Sequence, residues 1–490
     1  MNNPRIYEIN TRVWIKQFGA DSKLCDIPDD FIKRLSDWGM DALWLMGIWN
    51  NNPETIEEYC FEPSLVAAYN NSMPDWNKKD VIGSPYSIDN YEVNTNLGTK
   101  KDLLNFKQKL NDAGIKLVLD FIPNHFSSYS NLLKTNPGIF LPADHTLFRG
   151  DGYTFFQSPY DQEKYFAHGR DPLFPPWKDT AQINFFSEEA RMFFTEILKD
   201  LITLCDGVRC DMAMLPLTNV FYNTWVGVLK KYGIEKPDTE FWTEIISSVK
   251  KHKKDFFFIA EAYWDLEWNL QQLGFDYTYD KRLTDRLGSA DLRVIKDHLT
   301  ASMNFQKKSV RFIENHDEER AAGHFGKDKS LSAATLISTI PGMILYHDGQ
   351  FEGRKIKLPV QLGRLPDEKF DKRVFNYYEK LLEITRQELF RKGEWKMMEC
   401  FPVSPNDYTN ENLFACEWSY KQTVKVVAVN YSGSTARCRL KINISSDKTD
   451  VTMFDELNNV NYKREISEIT GIGLFVELKA FSSHIFSVKK

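Results

Sequence analysis

Hydrophobic residues along the chain gather in short runs, separated by longer segments in which apolar residues recur at helical spacing. The runs are rich in β-branched and aromatic residues, which favour strands, and eight of them alternate with the longer segments. Eight strand and helix units of this kind close into a parallel (β/α)8 TIM barrel, with the active site at the carboxyl ends of the strands. The predicted strands span residues 5–9, 42–48, 116–120, 207–211, 256–261, 275–279, 309–314 and 342–347.

Two of the longer segments carry clear signals for the start of a helix. Thr99 and Asp102 form a capping-box pattern ahead of an apolar face. Ser187 likewise precedes two glutamates, which the helix dipole favours in a first turn. We therefore predict one helix after Thr99 and another after Ser187, each with its apolar face against the barrel.

The pattern changes at two places along the chain. Residues 126–184 are rich in Pro, Gly, Asp and aromatic residues and lack sustained periodicity, which predicts an excursion domain after the third strand, overhanging the site. Alternating strands such as 423–430 follow residue 393 and predict a C-terminal β-sandwich over 393–490. Residues 1–125 and 185–392 remain for the catalytic barrel.

Composition and charge restrict the possible partners. The 490 residues are 42% hydrophobic and 27% charged, and no apolar run reaches the ~18 residues of a membrane span. The net charge of −6, with no basic block, argues against nucleic acid and membrane surfaces as partners. A neutral or cationic ligand is the simpler expectation, while the oligomeric state stays open.

The cysteines and the first residues indicate the compartment. Seven scattered cysteines, without a Cys-x-x-Cys pair, predict reduced thiols rather than a disulfide framework or a zinc site. The N-terminal residues lack the features of a signal peptide. We therefore expect a cytoplasmic protein.

Acidic residues lie at or just after the ends of four predicted strands, which a barrel brings together at one rim. Retaining hydrolysis of a glycosidic bond needs one carboxylate as nucleophile and a second carboxyl group as acid and then base. The four acids are Asp120, Asp211, Glu261 and Asp317.

Two of these acids have neighbours that suit them to this chemistry. Arg209 and Asp211 share one face of a strand, so the guanidinium can hold the carboxylate ionised, as a nucleophile requires. Glu261 ends an apolar run and precedes Tyr263 and Trp264, surroundings that raise the pKa of a carboxyl group, as an acid requires. A retaining pair should stand about 5 to 5.5 Å apart, against ~6.5 to 9.5 Å for an inverting pair.

Histidines and aromatic residues near these strand ends are candidates for binding a sugar. His125 and His316 each belong to an Asn-His pair and could donate to sugar hydroxyls while uncharged. Aromatic rings can pack against the apolar face of a sugar. The candidate platforms are Tyr86, Trp177, Trp264 and Trp268.

Each residue also has a structural explanation. A single Asp after a strand is more often a cap, Arg209 with Asp211 could be a structural ion pair, and His125 could be an ordinary buried histidine. Four acids at equivalent barrel positions make that explanation the weaker one. The chain contains no His-Glu-x-x-His, Gly-x-Ser-x-Gly, P-loop or Gly-x-Gly-x-x-Gly motif, so other common chemistries lack support.

The strings around the acids resemble the ordered signature regions of the α-amylase superfamily, glycoside hydrolase family 13. The resemblance runs from the first strand to the terminal sandwich. The matching strings are Asp-Phe-Ile-Pro-Asn-His at 120–125, Gly-Val-Arg-Cys-Asp at 207–211, Ile-Ala-Glu at 259–261, Glu-Asn-His-Asp at 314–317 and Gln-Ile-Asn at 182–184.

The resemblance implies a retaining α-glycosidase that hydrolyses α-1,4-glucosidic bonds in malto-oligosaccharides or starch-like glucans. Asp211 would be the nucleophile, Glu261 the acid and base, and Asp317 the residue that binds ring hydroxyls of the distorted sugar. The implied substrate-binding residues are Tyr86, Asp120, His125, Arg209 and His316. A transglycosylase or isomerase acting on malto-oligosaccharides, and a non-catalytic carbohydrate-binding protein, remain as alternatives.

Three positions depart from the usual family pattern. Met214 and Leu215 stand where many α-amylases carry Lys-His, which argues against a preference for internal bonds of long starch. Asn90 replaces the usual Asp before Tyr91. Asn124 resembles a calcium ligand of many relatives, so structural calcium is possible, although the chemistry requires no cofactor and we assign no metal ligands.

Overall fold

The computed structural model describes residues 2–289, 291–442 and 449–489, and its centre is a closed barrel of eight parallel strands. Each strand pairs with its neighbours in sequence, and the last pairs with the first. All eight predicted strands are confirmed, most of them shorter by one to three residues at an end. They are β1 Arg5–Asn10, β2 Ala42–Met46, β3 Lys116–Phe121, β4 Gly207–Cys210, β5 Phe257–Ala260, β6 Tyr277–Tyr279, β7 Ser309–Arg311 and β8 Met343–His347.

Alternation along these strands divides their side chains between two cores. Residues such as Trp44, Ile259 and Leu345 fill the barrel interior, whereas Leu43, Leu45 and Phe258 pack outward against the helices. The α-helices between β1 and β8 are Thr11–Trp14, Asp29–Asp37, Glu54–Tyr59, Pro63–Ser72, Lys100–Asp112, Leu132–Thr135, His145–Gly150, Glu188–Leu204, Thr218–Lys231, Phe241–His252, Glu267–Gln272, Lys281–Ser289, Leu292–His298, Met303–Lys307, Ala321–His324 and Lys327–Ser338. Lys372–Thr385 and Glu388–Lys392 follow β8.

Both predicted helix starts are confirmed. The Thr99 side chain accepts a hydrogen bond from the Asp102 amide, and the Asp102 carboxylate accepts one from the Thr99 amide, which completes the capping box. Ser187 accepts from the Ala190 amide at the start of Glu188–Leu204. In the described part of the chain, no helix combines the length and the apolar character that crossing a membrane requires.

Three insertions rise from the barrel beside the carboxyl ends of its strands. The first follows β2 and contains a two-stranded sheet, Trp49–Asn51 with Ile88–Val93, and two helices. The second follows β3 and contains five short strands, and the third, residues 348–371, follows β8. The strands of the second insertion are His125–Ser127, Pro142–Ala143, Phe155–Gln157, Tyr165–Ala167 and Thr180–Gln182.

Two further antiparallel sheets lie at the C-terminal end of the chain and share an apolar core. The Trp418 indole donates to the Thr339 carbonyl, and the Tyr431 hydroxyl donates to the Leu287 carbonyl. These two hydrogen bonds anchor the C-terminal sheets to the barrel helices. The architecture matches the predicted β-sandwich, while the division into domains at residues 125, 184 and 392 stays a prediction. The six-stranded sheet is Glu394–Met397, Leu413–Tyr420, Thr423–Asn430, Ser483–Lys489, Asp450–Asp455 and Val460–Glu465, and the two-stranded sheet is Ala436–Leu440 with Leu474–Leu478.

Candidate active site

Arg209 lies at the centre of the rim and contacts three of the four predicted acids. The parallel register of β3 and β4 places it beside Asp120, and its Nη1 atom lies 3.3 Å from Asp120 Oδ1. The same nitrogen lies 2.7 Å from Asp211 Oδ1, and Nη2 lies 2.9 Å from Glu261 Oε1. All four side chains are buried. One guanidinium therefore gathers the predicted nucleophile and the predicted acid at a single point.

Aromatic rings surround this guanidinium and exclude water from it. Its central carbon lies 5.2 Å from the ring of Trp44, 5.4 Å from that of Tyr86 and 5.7 Å from that of Tyr279, within the range of cation–π attraction. The Trp44 indole also donates to Asp120 Oδ2 at 3.1 Å. These contacts fix the orientation of Arg209.

Glu261 follows the last residue of β5 and accepts two hydrogen bonds besides its contact with Arg209. The Tyr263 hydroxyl donates to Oε1 at 2.8 Å, and the Met212 amide donates to Oε2 at 2.6 Å. Met212 adopts a left-handed backbone with φ of 44°, which costs about 1 to 3 kcal/mol for a residue with a side chain. Sequence reasoning named Tyr263 only as an apolar neighbour, and it missed Met212.

The pKa of Asp211 corrects one detail of the sequence interpretation. We expected Arg209 to keep this carboxylate ionised, but burial and then the nearby Glu261 carboxylate raise the pKa of Asp211 to about 8, against the opposing charge of Arg209. The reason is that one cation is shared among three acids, including Asp120, whose pKa burial raises to about 6. Asp211 must therefore lose its proton before it can act as a nucleophile.

A second cluster on the same rim joins β7 to β1. His316 Nδ1 lies 2.5 Å from Glu8 Oε1, and His316 Nε2 lies 3.0 Å from Asp317 Oδ2 and 2.7 Å from the Tyr86 hydroxyl. The Tyr86 ring stacks on the imidazole at 5.4 Å. Glu8 is fully buried and was not among the predicted site residues, although an acid inside an apolar strand is a signal that could have revealed it.

His316 is charged in this structure, which corrects the expectation that it is neutral. Burial opposes the charge, but Asp317 and Glu8 outweigh it and raise the pKa of His316 well above its usual value. Burial alone would raise the pKa of Asp317. The neighbouring His316 outweighs burial and holds the pKa of that carboxyl far below its usual value. The Asp317 side chain keeps 45% of its surface exposed and faces the cleft opening.

The other predicted binding residues lie at different distances from this centre. Burial lowers the pKa of His125 to about 4, so it is neutral as predicted, and the Trp177 ring lies 5.3 Å away. Trp264 follows Tyr263 with a φ of 62°. Trp268 is half exposed and packs on Phe305 outside the cluster.

The structure also places the residues that the comparison with the family pattern singled out. Met214 and Leu215 are buried apolar residues, so neither offers the polar groups of a Lys-His pair. The Asn124 amide oxygen accepts from Gln182 at 3.0 Å, and its nitrogen lies 3.3 Å from His125 Nδ1. Asn124 thus connects neighbouring segments, and the described residues include no group of three acidic, histidine or cysteine side chains arranged for a metal ion.

Part of the barrel matches a known protein family. Residues 30–138 match the family model described as "Alpha amylase, catalytic domain". Over these residues the chain is similar to the α-amylase superfamily.

Individual proteins are also similar to this chain. The chain is 24% identical over 358 residues to "Alpha-amylase MalA" of Haloarcula japonica, an alignment covering 71% of the chain and 44% of MalA. It superposes on the maltogenic α-amylase AmyB of Thermotoga neapolitana with a TM-score of 0.68 at 18% identity, over 100% of this chain and 99% of AmyB. An α-amylase of Geobacillus thermoleovorans, solved with acarbose, gives a TM-score of 0.68 at 18% identity, over 100% of this chain and 98% of that protein. The chain thus covers less than two thirds of the length of its curated relatives, 44 to 65% of the first three.

Proposed function

We propose that this protein hydrolyses α-1,4-glucosidic bonds in malto-oligosaccharides or starch-like glucans, with retention of anomeric configuration and through a covalent glycosyl-enzyme intermediate. The observation that carries the proposal is the contact of Asp211 and Glu261 with one guanidinium. Two carboxyl groups held this close favour the short separation of a retaining pair over the wide gap of an inverting pair.

In the first step, an Asp211 oxygen bonds to the anomeric carbon while the bond to the leaving oxygen breaks. Glu261 gives its proton to that oxygen, so the leaving sugar departs as an alcohol. In the second step, Glu261 takes a proton from water, the water oxygen bonds to the anomeric carbon and Asp211 is released. Asp211 must be ionised to attack, so its raised pKa of about 8 sets a pH limit on this cycle.

Asp317 and His316 act on the sugar ring in this proposal. The Asp317 carboxylate is ionised and partly exposed, so it can accept hydrogen bonds from ring hydroxyls. The His316 imidazole fixes that carboxylate at 3.0 Å, and the Tyr86 hydroxyl lies 2.7 Å from the same imidazole nitrogen. Positive charge from Arg209 remains beside the reaction throughout, but Asp211 becomes neutral as the bond forms.

The substrate class rests on the family and on the charge of the chain. Relatives named α-amylase and maltogenic α-amylase, and a related structure solved with acarbose, support an α-glucan substrate. A neutral glucan also suits a net charge of −6 without a basic patch. We propose no metal in the chemistry, and structural calcium stays a prediction that unfolding temperatures with and without a chelator would test.

Proton NMR during hydrolysis of maltopentaose tests both the activity and its stereochemistry. The α anomer should appear first and the β anomer only later by mutarotation. The β anomer appearing first would contradict the mechanism. Longer oligosaccharides accumulating from maltotriose would instead indicate a transferase, and sugar binding without new reducing ends from any α-glucan would indicate a non-catalytic protein.

A further inference from the structure

Two of the insertions on the barrel rim meet above β1. We name as the end wall residues 54–82 of the insertion after β2, and residues 354–364 of the insertion after β8. Because β2 and β8 are the two neighbours of β1 in the closed barrel, these insertions rise on either side of it. The end wall therefore stands over one defined sector of the rim.

The two parts of the end wall pack together through an apolar core. Leu362 pairs with Val81 in an isolated antiparallel bridge, and the Ile82 amide donates to the Gln361 carbonyl at 2.8 Å. The Gly363 amide donates to the Asp80 carbonyl at 2.7 Å. The buried apolar members of this core are Cys60, Tyr69, Met73, Val81 and Leu362, with Leu65 and Leu358 packed against them.

Cationic side chains fix the end wall in place. The buried Arg12 donates to the Val360 carbonyl at 2.7 Å, and Lys16 donates to the Gly363 carbonyl at 2.6 Å. Arg364 pairs with Asp75 at 3.3 Å and with Asp80 at 3.2 Å. Packing, main-chain pairing and these contacts together make the end wall a fixed part of the rim.

The end wall reaches the catalytic cluster directly. The Lys357 ammonium donates to the main-chain carbonyl of Asp317. Between the helix Pro63–Ser72 and residues 355–361 lies a recess that opens onto Asp317 and His316, with Leu65, Ala68 and Asn71 on its helix side. A sugar bound against Asp317 thus has the end wall as its next neighbour.

The order of the strands in the barrel indicates which end of a bound glucan the end wall faces. In a closed barrel of eight strands, β5 lies across from β1. Glu261 follows β5, and as the acid it protonates the oxygen of the leaving, reducing-end portion. The leaving portion therefore lies on the β5 side, and the end wall on the β1 side faces the non-reducing end.

We propose that the end wall closes the cleft behind the non-reducing end of the glucan, so that the protein removes short units from chain ends and does not cut internal bonds. This inference rests on the proposed function. Entry of an internal segment would require chain on both sides of the scissile bond. On the non-reducing side the recess beside Asp317 is bounded by the end wall, whose packed core holds it in place.

Chain-end blocking provides the test. Maltoheptaose is compared with a heptaoside whose terminal 4- and 6-hydroxyls carry an ethylidene group, and products are followed by chromatography. Maltoheptaitol, modified at the opposite end, is the matched control. We expect kcat/KM to fall at least about 100-fold for the blocked heptaoside, a penalty typical of exclusion from a packed pocket, but to change little for maltoheptaitol.

The outcomes separate this inference from the proposed function. Comparable turnover of the blocked and unblocked heptaosides would overturn the role of the end wall and leave the proposed hydrolysis intact. No turnover of any of the three substrates would overturn the proposed function, and this inference with it.

Shortening the end wall gives a second test. Replacing residues 355–358 by Gly-Ser should raise the ratio of blocked to unblocked turnover about 10-fold or more, because a contact surface is removed. The exposed Lys369 lies outside the end wall, so Lys369→Ala serves as the control. Thermal unfolding shows that both variants are folded, and an unchanged ratio in the folded 355–358 variant would overturn the assignment.

Discussion

The two sides of the active-site rim hold buried acids, and their protons behave in opposite ways. On the β4 and β5 side, Arg209 is shared by three carboxylates, and the pKa of Asp211 rises to about 8. On the β7 and β1 side, His316 lies between Glu8 and Asp317, and the pKa of His316 rises well above its usual value. The first side thus favours the protonated form of a carboxyl group, while the second favours the protonated form of an imidazole.

The difference follows from the ratio of acids to cations. Burial disfavours every charge, so three acids around one cation keep a proton among themselves. Two acids around one histidine can instead make that histidine the cation, since each carboxylate gains an ion pair. The same residue types therefore serve proton transfer on one side and fixed electrostatics on the other.

Removing the nucleophile should have the largest effect on this comparison. Asp211→Asn should lower kcat by about four orders of magnitude or more, because the covalent intermediate cannot form. Release of reducing ends from maltopentaose measures the loss, with Asp200→Asn on an exposed helix position as the control. Residual activity within 100-fold of the wild type would remove Asp211 from its proposed role.

The second largest effect should come from replacing Arg209, which contacts Asp211 and Glu261 together. Arg209→Lys keeps one positive charge but cannot present two nitrogens to Asp211 and Glu261, so kcat should fall about 10² to 10³-fold. The circular dichroism spectrum should stay native. A loss below 10-fold would mean that charge alone, without the fork geometry, organises this side.

Replacing Glu8 tests the β7 and β1 side of the rim. Glu8→Gln removes one of the two carboxylates that keep His316 charged, so the pKa of His316 should fall and kcat should drop about 10-fold, the scale of one charge-assisted hydrogen bond. The loss should be larger at high pH, where the weakened imidazolium loses its proton first. Histidine NMR titration and the pH profile of kcat/KM check this, and an unshifted profile would leave Glu8 a purely structural acid.

The smallest expected effect concerns the ionisation of Asp211 and the hydrogen bond from Tyr263 to Glu261. In the wild type, kcat/KM should rise as the pH increases toward about 8, because the nucleophile must be ionised and the pKa of Asp211 is raised to about 8. Tyr263→Phe removes the hydroxyl that donates to Glu261 at 2.8 Å, so kcat should change about 5-fold. A kcat of the folded Tyr263→Phe variant equal to that of the wild type would contradict this role of Tyr263.

Much of the fold could be predicted because it depends on local patterns. The eight strands follow from apolar runs, and the helices after Thr99 and Ser187 follow from their caps. Asp211 and Glu261 could be singled out because each ends such a run. Their catalytic roles stay predictions until the variants are measured.

The remaining features depend on contacts between distant parts of the chain. The partner of Glu8 lies 308 residues away, so nothing near Glu8 indicates a charged His316. The sharing of Arg209 requires the register of three strands. The packing of residues 54–82 against 354–364 requires the closed barrel. Such features follow from topology, which single-sequence patterns do not provide.

The amide of Met212 has a consequence for anyone who diversifies this site by random mutagenesis. Its bond to Glu261 belongs to the main chain, so most side chains at position 212 preserve it, and glycine would also relieve the left-handed backbone. Proline is the exception, because it has no amide hydrogen and cannot adopt a positive φ. A library at position 212 should therefore favour glycine, accept unbranched side chains more readily than β-branched ones, and exclude proline, a signature that separates a backbone requirement from a side-chain requirement.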